Sequence, residues 1–113
     1  MRVDSGLPEG FPRPRILSGV GKGWWPIVMR AHGLMFALDP DYTVDQVKEK
    51  MGTLRYYYTP ESDDAETVNR MRRIATEAEL ASTVTCEVCG KPGELDQSKR
   101  WLLTLCPEHK AER

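Results

Sequence analysis

From Trp24 to Leu38 the apolar positions fall at Trp24, Ile27, Val28, Ala31, Leu34, Met35 and Leu38. Steps of three and four put these residues on one face of a helix. Pro26 suits the first turn, where the amide hydrogen it lacks has no intrahelical partner. Pro40 ends the run and biases Asp39 toward an extended backbone. Gly33 costs the helix up to about 1 kcal/mol relative to alanine, so it is expected to mark close approach of another backbone. Trp24 and Trp25 are expected to anchor the core. A second stripe, Val68, Met71, Ala75, Ala78 and Ser82, widened by Ile74 and Ala81, predicts a helix over 65–80. The turn Pro60-Glu-Ser-Asp-Asp64 leads into it and places acids near its positive end.

Between these helices the run Leu54-Arg-Tyr-Tyr-Tyr-Thr59 is strand-like, rich in aromatic residues. The segment before it supports two readings. Val44, Val47 and Met51 have helical spacing, with Thr43 and Gln46 as a capping box and Gly52 as a stop. Alternatively, residues 43–50 are a strand that turns at Met51-Gly52-Thr53. A lone strand needs a partner, and a tight turn supplies one next door, which favours the hairpin. In that strand Tyr57 points opposite to Tyr56 and Tyr58, so one face must expose tyrosine unless it is covered.

Residues 1–23 lack such periodicity. Glycine or proline stands at 6, 8, 10, 12, 14, 19, 21 and 23, a spacing that predicts an extended arm rather than a helix or central strand. Such an arm either lies across the domain or orders on a partner. The pattern therefore divides the chain into an arm (1–23), an α+β core with two helices and a β-hairpin (24–83), and a C-terminal module (84–113).

Composition narrows the class. The chain has 113 residues, 40% apolar and 29% charged, as expected for one soluble globular domain with a modest core. Its formal net charge of -1 gives no global pull toward nucleic acid. Residues 1–38 carry a net +3 and residues 61–85 a net -3. No charged start followed by an apolar run reads as a signal peptide, and no segment approaches the roughly 20 apolar residues of a membrane span.

Candidate chemistry concentrates in the C-terminal module. All three cysteines and one of two histidines form Cys86-x2-Cys89-x16-Cys106-x2-His109. Paired clusters with two-residue gaps are zinc-ligand spacing, and three thiolates with one imidazole complete a tetrahedral Cys3His set. Four protein ligands leave no position for a metal-bound water, so one structural zinc ion is expected. Iron–sulfur ligation fits less well with a histidine in the set. Thiolate ligation suits a reducing cytoplasm, and the odd cysteine count opposes a closed disulfide framework. Gly90 permits the positive φ of a knuckle turn. Glu94-Leu95 and Arg100-Trp-Leu-Leu103 are expected to pair around Asp96-Gln-Ser-Lys99. Trp101, with Leu103 or Leu105, is expected to cap the module on the core. Pro107 opens a helical turn on which Cys106 and His109, three apart, face one metal. Knuckle, hairpin and ligand-bearing helix turn resemble a treble-clef finger.

Three stretches together resemble a family of small uncharacterised zinc-finger proteins from phages and bacterial genomes. They are Gly23-Trp-Trp-Pro-Ile27, Gln46-Val-Lys-Glu-Lys-Met-Gly-Thr-Leu-Arg-Tyr-Tyr57, and the finger from Cys86 to His109. Met51 stands where that family more often has an aromatic residue. The resemblance implies a zinc-finger domain and a phage or prophage origin, and it implies no activity.

No catalytic constellation emerges. His109 is taken by the metal set, and His32 lies beside the apolar stripe as a boundary residue. No cysteine remains free as a nucleophile, and Ser5, Ser18, Ser62, Ser82 and Ser98 have no histidine nearby in sequence. Asp63-Asp64 and Asp39-x-Asp41 read as solvated cap or turn residues rather than a divalent-metal site. The leading functional reading is a non-enzymatic, zinc-stabilised module that binds a protein partner, as an inhibitor or regulator in the case of a phage protein. Its candidate contacts are Arg13, Arg15, Tyr57, Lys99 and Arg100, since arginines and aromatics are the usual interface anchors. Nucleic-acid binding is the alternative, with Lys91, Lys99, Arg100 and Lys110 toward phosphates. Against it, residues 86–113 hold five bases and five acids. A metal-dependent nuclease is the third reading.

Overall fold

A computed structural model describes residues 16–113. Among them are three α-helices and two small antiparallel sheets, an α+β architecture. After a 3-10 turn at Lys22–Trp24 come α1 (Trp25–Leu38), β1 (Thr43–Lys50), β2 (Thr53–Thr59) and α2 (Ala65–Ser82). The C-terminal module adds β3 (Glu94–Asp96), β4 (Leu103–Leu105) and α3 (Pro107–Ala111).

The hairpin reading of residues 43–59 holds. β1 and β2 pair antiparallel with Val47 opposite Tyr56 and Lys48 opposite Arg55. Met51 and Gly52 connect them with φ of 55° and 84°, the two left-handed residues of a tight hairpin turn whose twist matches the strands. A bulge between Val44 and Gln46 sets Asp45 out of register, and its carboxylate accepts from the Thr59 hydroxyl at 2.6 Å. The inner face contributes Val47, Leu54 and Tyr56 to the core, whereas Tyr57 is 43% exposed on the other face, with Lys48 Nζ 6.0 Å from its ring centre.

α1 and α2 pack against each other, and α2 lies on β2. Their faces supply Val28, Ala31, Met35, Met71 and Ala78 to one cluster with Trp24 and the hairpin. Leu34, in the predicted stripe, stands at its exposed edge. Asp64 caps α2, its carboxylate accepting from the Thr67 amide at 3.0 Å and hydroxyl at 2.8 Å. The helix runs two residues beyond the expected Leu80. There Ser82, fully buried, accepts from the Leu54 amide at 2.9 Å and donates to the Glu79 carbonyl at 2.6 Å. A polar residue belongs in this stripe because it satisfies a strand amide that faces a helix. Asp39 is buried rather than solvated, and it accepts from the Glu61 and Ser62 amides at 2.8 and 3.1 Å.

Gly33 and the N-terminal arm also depart from expectation. A Cβ on Gly33 would have nothing within 4 Å, so that glycine marks no backbone approach. The described part of the Gly/Pro-rich arm, residues 16–23, is also not an extended tail. Ile16 and Leu17 are helical, and with Val20 they are buried in the main cluster. The physical reason is the gap free of glycine and proline between Pro14 and Gly19, which leaves two adjacent aliphatic residues able to turn and bury. This strap crosses the domain: Gly19 carbonyl accepts from the Glu49 amide of β1 at 3.1 Å. Among the described residues no helix is long and apolar enough to cross a membrane.

Candidate metal centre

The chain leaves α2 and enters the knuckle directly. Thr85 bridges to Pro92, the Cys86 amide donates to the Lys91 carbonyl at 2.8 Å, and the Gly90 amide donates to the Cys86 carbonyl at 2.9 Å. Gly90 closes this loop with φ of 86°, as its position after Cys89 requires. β3 and β4 then return the chain to the second ligand pair. Cys106 stands at the N-terminal cap of α3, Pro107 follows at its start, and His109 lies on the first turn. The Lys110 amide donates to the Cys106 carbonyl at 2.9 Å and fixes that turn.

These two loops bring the sulfurs of Cys86, Cys89 and Cys106 and a ring nitrogen of His109 within 4.8 Å of one another. His109 Nδ1 lies 3.2 Å from Cys106 Sγ and 3.6 Å from Cys86 Sγ, and Cys89 Sγ lies 3.7 Å from Cys106 Sγ. The cluster can hold a metal ion. Cys86 and Cys106 are buried and Cys89 is exposed, so an ion here would sit at the rim of the module.

The electrostatics of the cluster favour a cation. Burial pushes the Cys86 thiol up, but backbone N–H groups of Cys106, Cys89 and Val88 outweigh it and bring the group to about 6. Cys106 is lowered by the His109 amide. At Cys89 the Lys91 amide lowers the value, yet burial and the neighbouring sulfurs raise it on balance. His109 is raised, first by its contact with Cys106. Thiolates are thus stabilised by backbone dipoles and destabilised by one another, the conflict a bound divalent ion resolves.

The finger is locked to the rest of the fold at three places. Thr104 is fully buried and its hydroxyl donates to the Gly52 carbonyl of the hairpin turn at 2.7 Å. Trp24 is fully buried and its indole N–H donates to the Thr85 carbonyl at 2.8 Å. Glu87, between the two knuckle cysteines, receives the Gly23 amide on its carbonyl at 2.7 Å and the Gly21 amide on its carboxylate at 2.9 Å. Sequence reasoning missed Glu87 and Thr104, because neither residue type announces a partner so far away along the chain.

The remaining candidates are scattered. Arg13 and Arg15 lie outside the described residues. Tyr57 is on the outer face of the β1–β2 hairpin, and Lys99 and Arg100 are exposed in the loop between β3 and β4. β4 begins at Leu103 rather than Arg100, with Glu94 opposite Leu105 and Asp96 opposite Leu103. Trp101 therefore falls in the loop, 68% exposed, and does not cap the module; Leu105 and Leu103 pack with Cys86 and Cys106 instead. His32 is half-buried, its Nδ1 lying 2.6 Å from the Tyr42 hydroxyl, which is bonded in turn to the Tyr56 hydroxyl at 2.7 Å. Comparison with family models, with curated proteins and with solved structures finds no match to this chain.

Proposed function

We propose that the chain is a zinc-stabilised, non-enzymatic binding module. The convergence of the four side chains carries this reading. Tetrahedral zinc with sulfur at about 2.3 Å and nitrogen at about 2.0–2.1 Å separates two sulfurs by about 3.8 Å, and sulfur from nitrogen by about 3.6 Å. The 3.7 Å between Cys89 and Cys106 and the 3.6 Å between Cys86 and His109 agree with those edges, and the 3.2 Å contact is somewhat shorter. A sphere filled by four protein groups has no site to polarise a substrate or ionise a water, so its role is to hold the finger together. The order of knuckle, two-stranded ribbon and ligand-bearing helix turn supports the treble-clef comparison. The likeness to small phage and bacterial zinc-finger proteins belongs to the same proposal, with a protein partner in the cytoplasm.

Cobalt substitution tests the closed sphere. The account expects tetrahedral visible bands and a sulfur-to-cobalt charge-transfer band that do not move when azide or cyanide is added. Bands that shift with either anion would reveal an open position and overturn the structural role.

A further inference from the structure

A groove of about 450 Å³ opens where the tip of the β1–β2 hairpin meets the β3–β4 loop. Glu49, Lys50, Met51, Arg100, Trp101 and Leu102 line it. Met51 and Trp101 are the two most exposed large apolar side chains among the described residues, at 63% and 68%. Both are held out by backbone geometry. Met51 occupies the first left-handed position of the hairpin turn, and Trp101 lies in a loop whose far end is fixed by Thr104 on the Gly52 carbonyl. Exposing a tryptophan and a methionine together, at a fixed concave place, loses burial that a folded monomer ordinarily takes.

The charge at the rim identifies what fits. Lys50 and Arg100, which line the groove, have no ion-pair partner among the described residues. The lining carboxylate of Glu49 accepts the Gly52 amide at 2.7 Å, which ties it to the hairpin turn, and the lining as a whole carries one net positive charge. Two unpaired lining cations, Lys50 and Arg100, beside an apolar floor suit a ligand with one apolar side chain and one or two nearby anions. They do not suit a long polyanion. Residues 86–113 are electrically balanced and the whole chain carries -1, a charge balance that argues against an extended phosphate backbone as the occupant. Resting on the binding-module reading above, the geometry points to this groove as the docking site for a short acidic segment of a partner protein. An aromatic or aliphatic side chain of that segment seats between Met51 and Trp101, and its carboxylates pair with Lys50 and Arg100.

The test uses the full zinc-loaded chain. A displayed library of random dodecapeptides is selected on the wild type, and the clones are then measured as synthetic peptides on the wild type, Trp101→Ala and the double variant Lys50→Glu/Arg100→Glu. All three positions are exposed, so both variants are expected to keep the wild-type zinc content and melting temperature, which is checked first. The proposal expects clones with an aromatic or aliphatic residue flanked by aspartate or glutamate. Their affinity should fall at least tenfold on each variant and weaken as salt rises. Amide shifts on titration should centre on Met51, Trp101 and Leu102. Selected peptides that bind both variants as well as the wild type would move the interface to another face, leaving the module reading intact while removing the groove. A selection that yields no peptide, or only neutral and basic ones, also overturns the groove. Tighter binding of a deoxythymidine decanucleotide than of any selected peptide, lost in the same variants, would make the occupant a nucleic acid and refute the acidic-peptide assignment.

Discussion

Replacing Gly23 by alanine should damage the metal centre while leaving all four ligand side chains in the sequence. A Cβ at Gly23 would lie 2.2 Å from the Cys86 carbonyl oxygen, 2.5 Å from the Gly90 nitrogen and 2.8 Å from the Cys89 nitrogen. All three atoms are knuckle backbone, and none can swing aside as a side chain tip can. Strap and knuckle must separate by about 1 Å to restore ordinary contact, an overpacking cost of about 1–3 kcal/mol. That movement also stretches the bonds from the Gly23 amide to Glu87 and from the Trp24 indole to Thr85, now 2.7 and 2.8 Å. Each is worth about 1 kcal/mol net. A total near 4 kcal/mol, borne only by the folded knuckle, lowers zinc affinity by roughly three powers of ten. It also lowers the melting temperature by more than about 10 °C. Competition with a chromophoric chelator reads the first quantity and calorimetry the second. Gly33→Ala is the control: its Cβ meets nothing within 4 Å. The change should stabilise the helix by about 0.5–1 kcal/mol. If Gly23→Ala bound zinc within about threefold of the wild type, the claimed rigidity of the strap–knuckle contact would be wrong.

Other substitutions probe separate parts of the fold. Cys89→Ser should abolish zinc binding and unfold the finger, because structural zinc supplies on the order of 10 kcal/mol to such modules; metal analysis of the purified variant and its thermal melt check this. Met51→Asn should raise stability by about 1 kcal/mol in chemical denaturation, since asparagine accepts the left-handed backbone that Met51 holds at φ 55°. The same change should weaken any peptide seated in the groove. His32 should titrate below its ordinary value of 6.5, because burial disfavours its charged form. The unfolded chain then binds the proton more readily, so this residue lowers stability as pH falls through 6.5. A ring-proton titration with a midpoint above that value would contradict the assignment.

The parts of the fold legible in the sequence were those with a repeat long enough to define a face. α1 and α2 follow from stripes of five to seven apolar positions, with Pro26, Pro40 and Asp64 marking their ends. The four-residue metal set was legible because cysteine and histidine at those spacings have few other uses. Arg100-Trp-Leu-Leu103, by contrast, has no period with which to choose a register. Its pairing is set by distant demands, as Thr104 must reach the Gly52 carbonyl and Leu105 must deliver Cys106 to the cluster. The strand consequently starts at Leu103, and Trp101 is left outside. Gly33 misled for a related reason: a glycine in a helix costs the same whether or not anything approaches it. In residues 16–23 glycine spacing hid a buried aliphatic pair, whose place depends on the β1 edge it joins.

X-ray absorption at the zinc edge of the purified chain addresses the central claim most directly. The account predicts one zinc per chain with three sulfurs at about 2.3 Å and one nitrogen at about 2.0–2.1 Å. A shell containing a water oxygen or fewer than three sulfurs, or a chain purified without metal, would contradict it.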